Sequence, residues 1–183
     1  DFAANGVGLY ENSVDDFGSA SLINTKIAYG NNVFFIFSKE YTDAEVDALV
    51  TDIEANSYNE YILTTDGGNY IMSDVDLAGD AVVKAKEGLT KKPVISDEAN
   101  TGTYRAFFDI QNGTYNLTVQ GIEFVGIATE SMIGISRVRS DNSSISIIDC
   151  DIHDFSTSNG VVRCDKAGVA VNVEGCYIYN CNT

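Results

Sequence analysis

The sequence predicts an all-β chain wound as a parallel β-helix and closed at its front by a short helix. Three observations carry this. Residues 117–124 (LTVQGIEF), 145–152 (ISIIDCDI) and 171–178 (VNVEGCYI) superimpose, at offsets of 28 and then 26 residues. Apolar residues alternate within each copy, which is the period of a strand and not of a helix. More than a dozen residues separate one copy from the next, the length a coil needs to return and add a parallel strand. Such a repeat buries its apolar face only against its neighbours, so the unit of structure is the stack.

The elements follow in order. Apolar stretches over residues 21–29 and 33–37 flank Gly30-Asn31-Asn32, a hairpin-turn signal, and predict a lead-in strand pair. Residues 42–45 (TDAE) form a capping box. Behind it Val46, Leu49, Val50 and Ile53 fall at i, i+3, i+4 and i+7, one face of a short helix ending near Ala55. This helix is read as an N-terminal cap that keeps water and other strand edges off the first coil. Strands are expected at residues 61–64, 70–72, 81–85 and 93–95, with a DGGN turn at 66–69 and a polar excursion over 96–103. The chain divides into a lead-in and cap, residues 1–57, and the first coils, residues 58–183. The last residues stop in mid-coil without a cap, so the sequence reads as the N-terminal portion of a longer solenoid.

Charge narrows the partners. Twenty-seven acids stand against 11 bases, a formal net charge of −16. This argues against nucleic acid and anionic membranes, and against polyanionic sugars unless a cation bridges. No run approaches the roughly 20 apolar residues that span a bilayer, so no membrane insertion is expected. Residues 1–60 hold eleven of the acids with only Lys26 and Lys39 as bases, read as a solvated acidic surface.

The four cysteines, Cys150, Cys164, Cys176 and Cys181, lack the paired spacing of a zinc site. Cys150 and Cys176 share a place in successive coils, about 4.8 Å apart, which a disulfide tolerates. In-register stacking does not aim the sulfurs at each other, and buried free thiols are the expected state. Asn112, Asn116 and Asn142 each begin an N-glycosylation pattern, one that Asn-rich turns also produce by chance.

Residues 80–95 (DAVVKAKEGLTKKPVI), 108–113 (FDIQNG) and 117–124 resemble the opening coils of the pectin-lyase-like β-helix superfamily. The similarity is closest to its alginate-lyase and chondroitinase-B-like branch, and to uncharacterised β-helix domains of secreted glycan-utilisation proteins. It spans roughly residues 60–183. The resemblance implies a right-handed solenoid, an extracellular or cell-surface location and polysaccharide as partner along the outer face of the sheets. For the lyases of the group it implies calcium as cofactor.

The repeat sorts residues into columns. Inward columns are Leu117–Ile145–Val171, Val119–Ile147–Val173, Ile122–Cys150–Cys176 and Phe124–Ile152–Ile178, with Phe108–Ser136–Val162 and Ile110–Val138–Cys164 from a second strand. Gly121–Asp149–Gly175 falls at a bend, where both residue types tolerate unusual backbone angles. Outward on the second strand lie Asp109–Arg137–Arg163 and Gln111–Arg139–Asp165. The structural reading is a ladder of ion pairs, Asp109 to Arg137 and Arg139 to Asp165, each contributing about 0–1 kcal/mol at a surface. The catalytic reading follows the resemblance: such lyases remove a proton α to a uronate carboxylate with an Arg or Lys base, giving Arg137 and Arg163 that role.

The other outward face carries Glu123–Asp151–Tyr177 and Val125–His153–Tyr179. Flat aromatic rings beside carboxylates that accept hydroxyl protons suit sugars, so Glu123, Asp151, His153, Tyr177 and Tyr179 are the candidate glycan contacts. The structural alternative is a solvated strand face where aromatics are simply good β-formers. Three functional readings stand: polysaccharide binding, the front of a calcium-assisted polysaccharide lyase, and a spacer or adhesin module.

Overall fold

A computed structural model of the protein describes residues 37–97, 105–126, 133–156 and 160–182. The expected lead-in pair and most of the polar excursion lie outside the described residues. The chain opens with β1 (Ser38–Tyr41), a 3-10 turn (Asp43–Glu45) and α1 (Val46–Glu54), then β2 (Glu60–Leu63), β3 (Asn69–Ile71) and β4 (Val75–Asp76). The next coil is β5 (Ala81–Ala85), β6 (Val94–Ser96) and β7 (Arg105–Ile110). After it come β8 (Asn116–Gln120), β9 (Glu123–Val125) and β10 (Ile133–Val138), then β11 (Ser144–Ile148), β12 (Asp151–His153) and β13 (Val162–Cys164). A last pair, β14 (Ala170–Glu174) and β15 (Tyr177–Tyr179), follows.

From β2 on, every third strand joins the same sheet, and β1 adds to the sheet of β2. The orders are β1-β2-β5-β8-β11-β14, β3-β6-β9-β12-β15 and β4-β7-β10-β13, and every pairing is parallel. Over the described residues the chain is a parallel β-solenoid of about five turns with one short α-helix at its N-terminal side. One column shows the stacking: Lys39, Tyr61, Val83, Val119, Ile147 and Val173 lie over one another, at spacings of 22, 22, 36, 28 and 26 residues.

The inward columns fill the interior as the sequence implies. Leu117, Val119, Ile122, Phe124, Ile145, Ile147, Cys150 and Ile152 are buried. Phe107 contacts Phe124 and Phe155 at ring-centroid distances of 5.8 and 6.3 Å. Burying each such side chain stabilises the fold by about 1.5–3 kcal/mol. Val171, Val173 and Ile178 occupy the same columns in the last coil and stay exposed, because no described rung covers them. Cys164 is exposed for the same reason, a correction to the expectation of buried thiols, whereas Cys150 is buried and all four are free. Burial pushes the Cys150 thiol up to about 11, so it acts as a small apolar filler.

The bend column also holds. Gly121, Asp149 and Gly175 have φ of 69°, 52° and 65°, and a Cβ at Gly175 would sit 2.2 Å from Asp149 Oδ1. The aspartate of one coil thus fills the space its neighbour's glycine leaves open.

At the front, the Glu45 carboxylate accepts from the Thr42 N–H at 2.8 Å, the backbone bond of a capping box, and also from the Thr42 hydroxyl at 2.8 Å. Leu49 and Ile53 are buried and Val46 and Val50 pack beside them, so the expected helix face is the one used. A strand the sequence did not announce precedes it. β1 pairs in register with β2, and the helix spans the gap between these two rungs. Asp52 of α1 ties it down, accepting from Lys39 Nζ and the Tyr41 hydroxyl at 2.8 Å each. Although burial works against ionisation, those donors hold the Asp52 carboxyl below its ordinary range.

Candidate functional site

Two outward faces carry the residues singled out above. The first is the face of β7, β10 and β13. Arg137 stands directly across from Asp109 on one side and Arg163 on the other, the column the repeat implied. The ion pairs differ from the expected ladder. Arg139 donates to Asp109, with Nε at 3.0 Å and a second contact through Nη2. Arg137 Nε donates to Asp165 at 2.9 Å, and Arg163 Nε to the other oxygen of Asp165 at 2.7 Å. The reason is reach. Arg137 and Arg139 reach the diagonal aspartate two residues off in the neighbouring coil, about 7–8 Å away, whereas Arg163 bonds Asp165 two residues along its own coil.

Asp109 is buried despite its charge, and Gln111, just past the end of β7, donates to Asp76 on β4. Its bond to Asp109 raises the Arg139 guanidinium further above its already high range. Arg137 and Arg163 therefore lie together, both engaged by Asp165.

The second face belongs to the sheet of β3, β6, β9, β12 and β15. Its columns are Asn69–Val94–Glu123–Asp151–Tyr177 and Ile71–Ser96–Val125–His153–Tyr179. Period-two alternation turns Phe124, Ile152 and Ile178 inward and sends these neighbours out. All five candidate glycan contacts therefore share one patch over three coils.

Its geometry is specific. Tyr177 and Tyr179 are 66% and 42% exposed, with ring centroids 5.0 Å apart at 40°. Beneath Tyr179 the His153 ring stacks at 4.6 Å and 12°. His153 is itself buried, with Nε2 at 2.9 Å from Glu123 Oε1 and Nδ1 at 2.8 Å from Asp154 Oδ2. Burial lowers its basicity, but the two carboxylates outweigh that and raise the imidazole above its ordinary value. Lys92 Nζ donates to Asp151 Oδ1 at 2.7 Å.

Asp154, Asn180 and Lys92 were not singled out in the sequence. Asp154 has a φ of 60°, and its carboxylate, held below its ordinary range by His153 and Asn180, bridges both. A stacked Asp–Asn pair at the end of successive strands was the available signal.

One further concavity lies at the far end of the same sheet. An open groove of about 470 Å³ runs between α1 and β3, lined by Val46, Val50, Ile71, Met72 and Asp97 among others. Among the described residues, no three His, Cys, Asp or Glu side chains converge as metal ligands would, and no helix is long and apolar enough to cross a membrane. No protein-family model and no curated protein matches this chain. The class that the coordinates define is the parallel β-solenoid.

Proposed function

We propose that this protein is a secreted or cell-surface β-helix of the pectin-lyase-like kind that engages polysaccharide along the outer face of β9, β12 and β15. The observation that carries the reading is the pair of exposed tyrosine rings, Tyr177 and Tyr179, standing beside Glu123 and Asp151 on neighbouring rungs. Ring faces pack against the C–H faces of sugars, and carboxylates accept from their hydroxyls. Each carboxylate already faces a base, His153 or Lys92. A carboxylate oxygen accepts more than one hydrogen bond, so this pairing leaves capacity for a ligand. A chain of net charge −16 suits an uncharged glycan better than a polyuronate.

The lyase alternative, with Arg137 and Arg163 near a cleft and calcium neutralising the uronate, has less behind it, because both guanidiniums already serve Asp165. Affinity electrophoresis through gels of uncharged and anionic polysaccharides tests the proposal. Retardation in at least one gel, abolished by Tyr177→Ala with Tyr179→Ala, is the expected result. Retardation that survives the double substitution removes this face as the contact surface. For the alternative, new absorbance from unsaturated products with uronate polymers and calcium is the decisive signal.

A further inference from the structure

Both ring nitrogens of His153 face carboxylate oxygens: Nε2 meets Glu123 Oε1 at 2.9 Å and Nδ1 meets Asp154 Oδ2 at 2.8 Å. A neutral imidazole carries one N–H and one lone pair, so it satisfies only one of these contacts. The other would then set a lone pair against a carboxylate at hydrogen-bond distance. Only the imidazolium, a donor at both nitrogens, fits this arrangement. We propose that His153 is a charged positioning residue: its imidazolium clamps Glu123 on β9 to Asp154 at the end of β12, and so holds the ring on which Tyr179 stacks.

The clamp crosses three coils. Glu123 belongs to one, His153 and Asp154 to the next, and Tyr179 to the one after. Asp154 also accepts from Asn180, the residue that follows Tyr179, so the backbone leaving the tyrosine is tied to the same carboxylate. The groups facing the imidazole are Glu123 from β9, Asp154 from its own coil and the Tyr179 ring from β15. Asp151, two residues before His153, adds negative charge on the same face and is paired to Lys92.

The burial of His153 works against charging and the carboxylates outweigh it. The clamp is therefore closed while both carboxylates are ionised and the imidazole is charged, and it opens as pH rises through the histidine's raised value. Loss of the proton leaves one carboxylate–nitrogen contact repulsive and frees the ring under Tyr179. The consequence for ligand rests on the glycan reading above: affinity falls as pH rises, by about fivefold if one aromatic stacking contact loses its order.

This is the chain's one histidine, so its ¹⁵N signals need no assignment. The experiment is a ¹⁵N and aromatic ¹H titration of the wild-type protein from pH 5.5 to 9, with gel retardation by an uncharged polysaccharide measured at each pH for wild type and His153→Gln. Expected are two protonated ring nitrogens at pH 6.5, Tyr179 ring resonances that move with the histidine's titration, and retardation that declines in wild type but not in His153→Gln. A single neutral tautomer at pH 6.5, or Tyr179 resonances indifferent to the titration, overturns the clamp. Retardation that depends on Tyr177 and Tyr179 yet stays constant with pH overturns the inference and keeps the glycan reading. No retardation at any pH, with Tyr179 still following His153, rejects the glycan reading and supports the clamp.

Discussion

The faces of β10 and β12 are built on the same scaffold, with the same rung spacing, and they use their charges in opposite ways. On the β10 face, Arg137, Arg139 and Arg163 are answered by Asp109 and Asp165, and the carboxylate of Asp109 is buried under its arginine. On the β12 face, the bases and acids lie low against the sheet, while two tyrosine rings stand out into solvent. The first face spends its chemistry on itself. The second adds two outward tyrosine rings on β15, the last described strand of its sheet, which no described rung covers.

This comparison breaks most sharply at Asp109. Asp109→Ala removes the partner of Arg139, and lowers stability by about 2 kcal/mol, since the guanidinium, only about a third exposed, regains only part of its hydration. Denaturant unfolding reads the loss, and gel retardation by polysaccharide should not change. The mirror experiment is Tyr177→Ala with Tyr179→Ala, which should weaken retardation about tenfold at a cost of about 1 kcal/mol in unfolding free energy, since Tyr179 gives up its stack on His153 while Tyr177 is mostly exposed.

Smaller effects sharpen the contrast. Arg137→Ala and Arg163→Ala should each cost about 1 kcal/mol or less in unfolding free energy, as partly exposed ion pairs do, and leave retardation intact. Loss of glycan binding in either variant would place the ligand on the wrong face. The pH dependence of stability has a fixed sign. The folded-state value of His153 is raised, so its contribution is fully present below the unfolded value of about 6.5 and is lost as pH rises through the folded one. Wild type should therefore exceed His153→Gln in unfolding free energy at pH 5.5 and lose that margin as pH rises through the histidine's raised folded-state value. The smallest change belongs to Lys92→Ala, about 0.5 kcal/mol, since both partners in that pair are a third exposed.

How far the sequence reaches depends on regularity. Coils near residues 117–178 keep spacings of 28 and 26, so their columns could be read in register and their outward residues placed correctly. The earlier coils return after 22, 22 and 36 residues, too uneven for one copy to announce the next. β1 escaped because its sequence, SKEY, has no apolar alternation; it is held by its pairing with β2 and by Asp52 on the helix. β4 is two residues long, below any periodic signal. The columns of Arg137 and Arg139 were legible, but their partners were not, because partner choice depends on arm length across a ladder and not on position in the chain. Likewise the pairing of His153 with Asp154 depends on the 60° φ that turns the aspartate back toward the ring.

Each outward residue owes its place to winding, so the sharpest test is of the winding itself. In a NOESY spectrum of the folded protein, Ile152 methyl groups should show cross-peaks both to the Phe124 ring on one side and to Ile178 methyls on the other, as parallel rungs demand. Cross-peaks confined to sequence neighbours, or an antiparallel pattern between residues 117–124 and 145–152, would contradict the account.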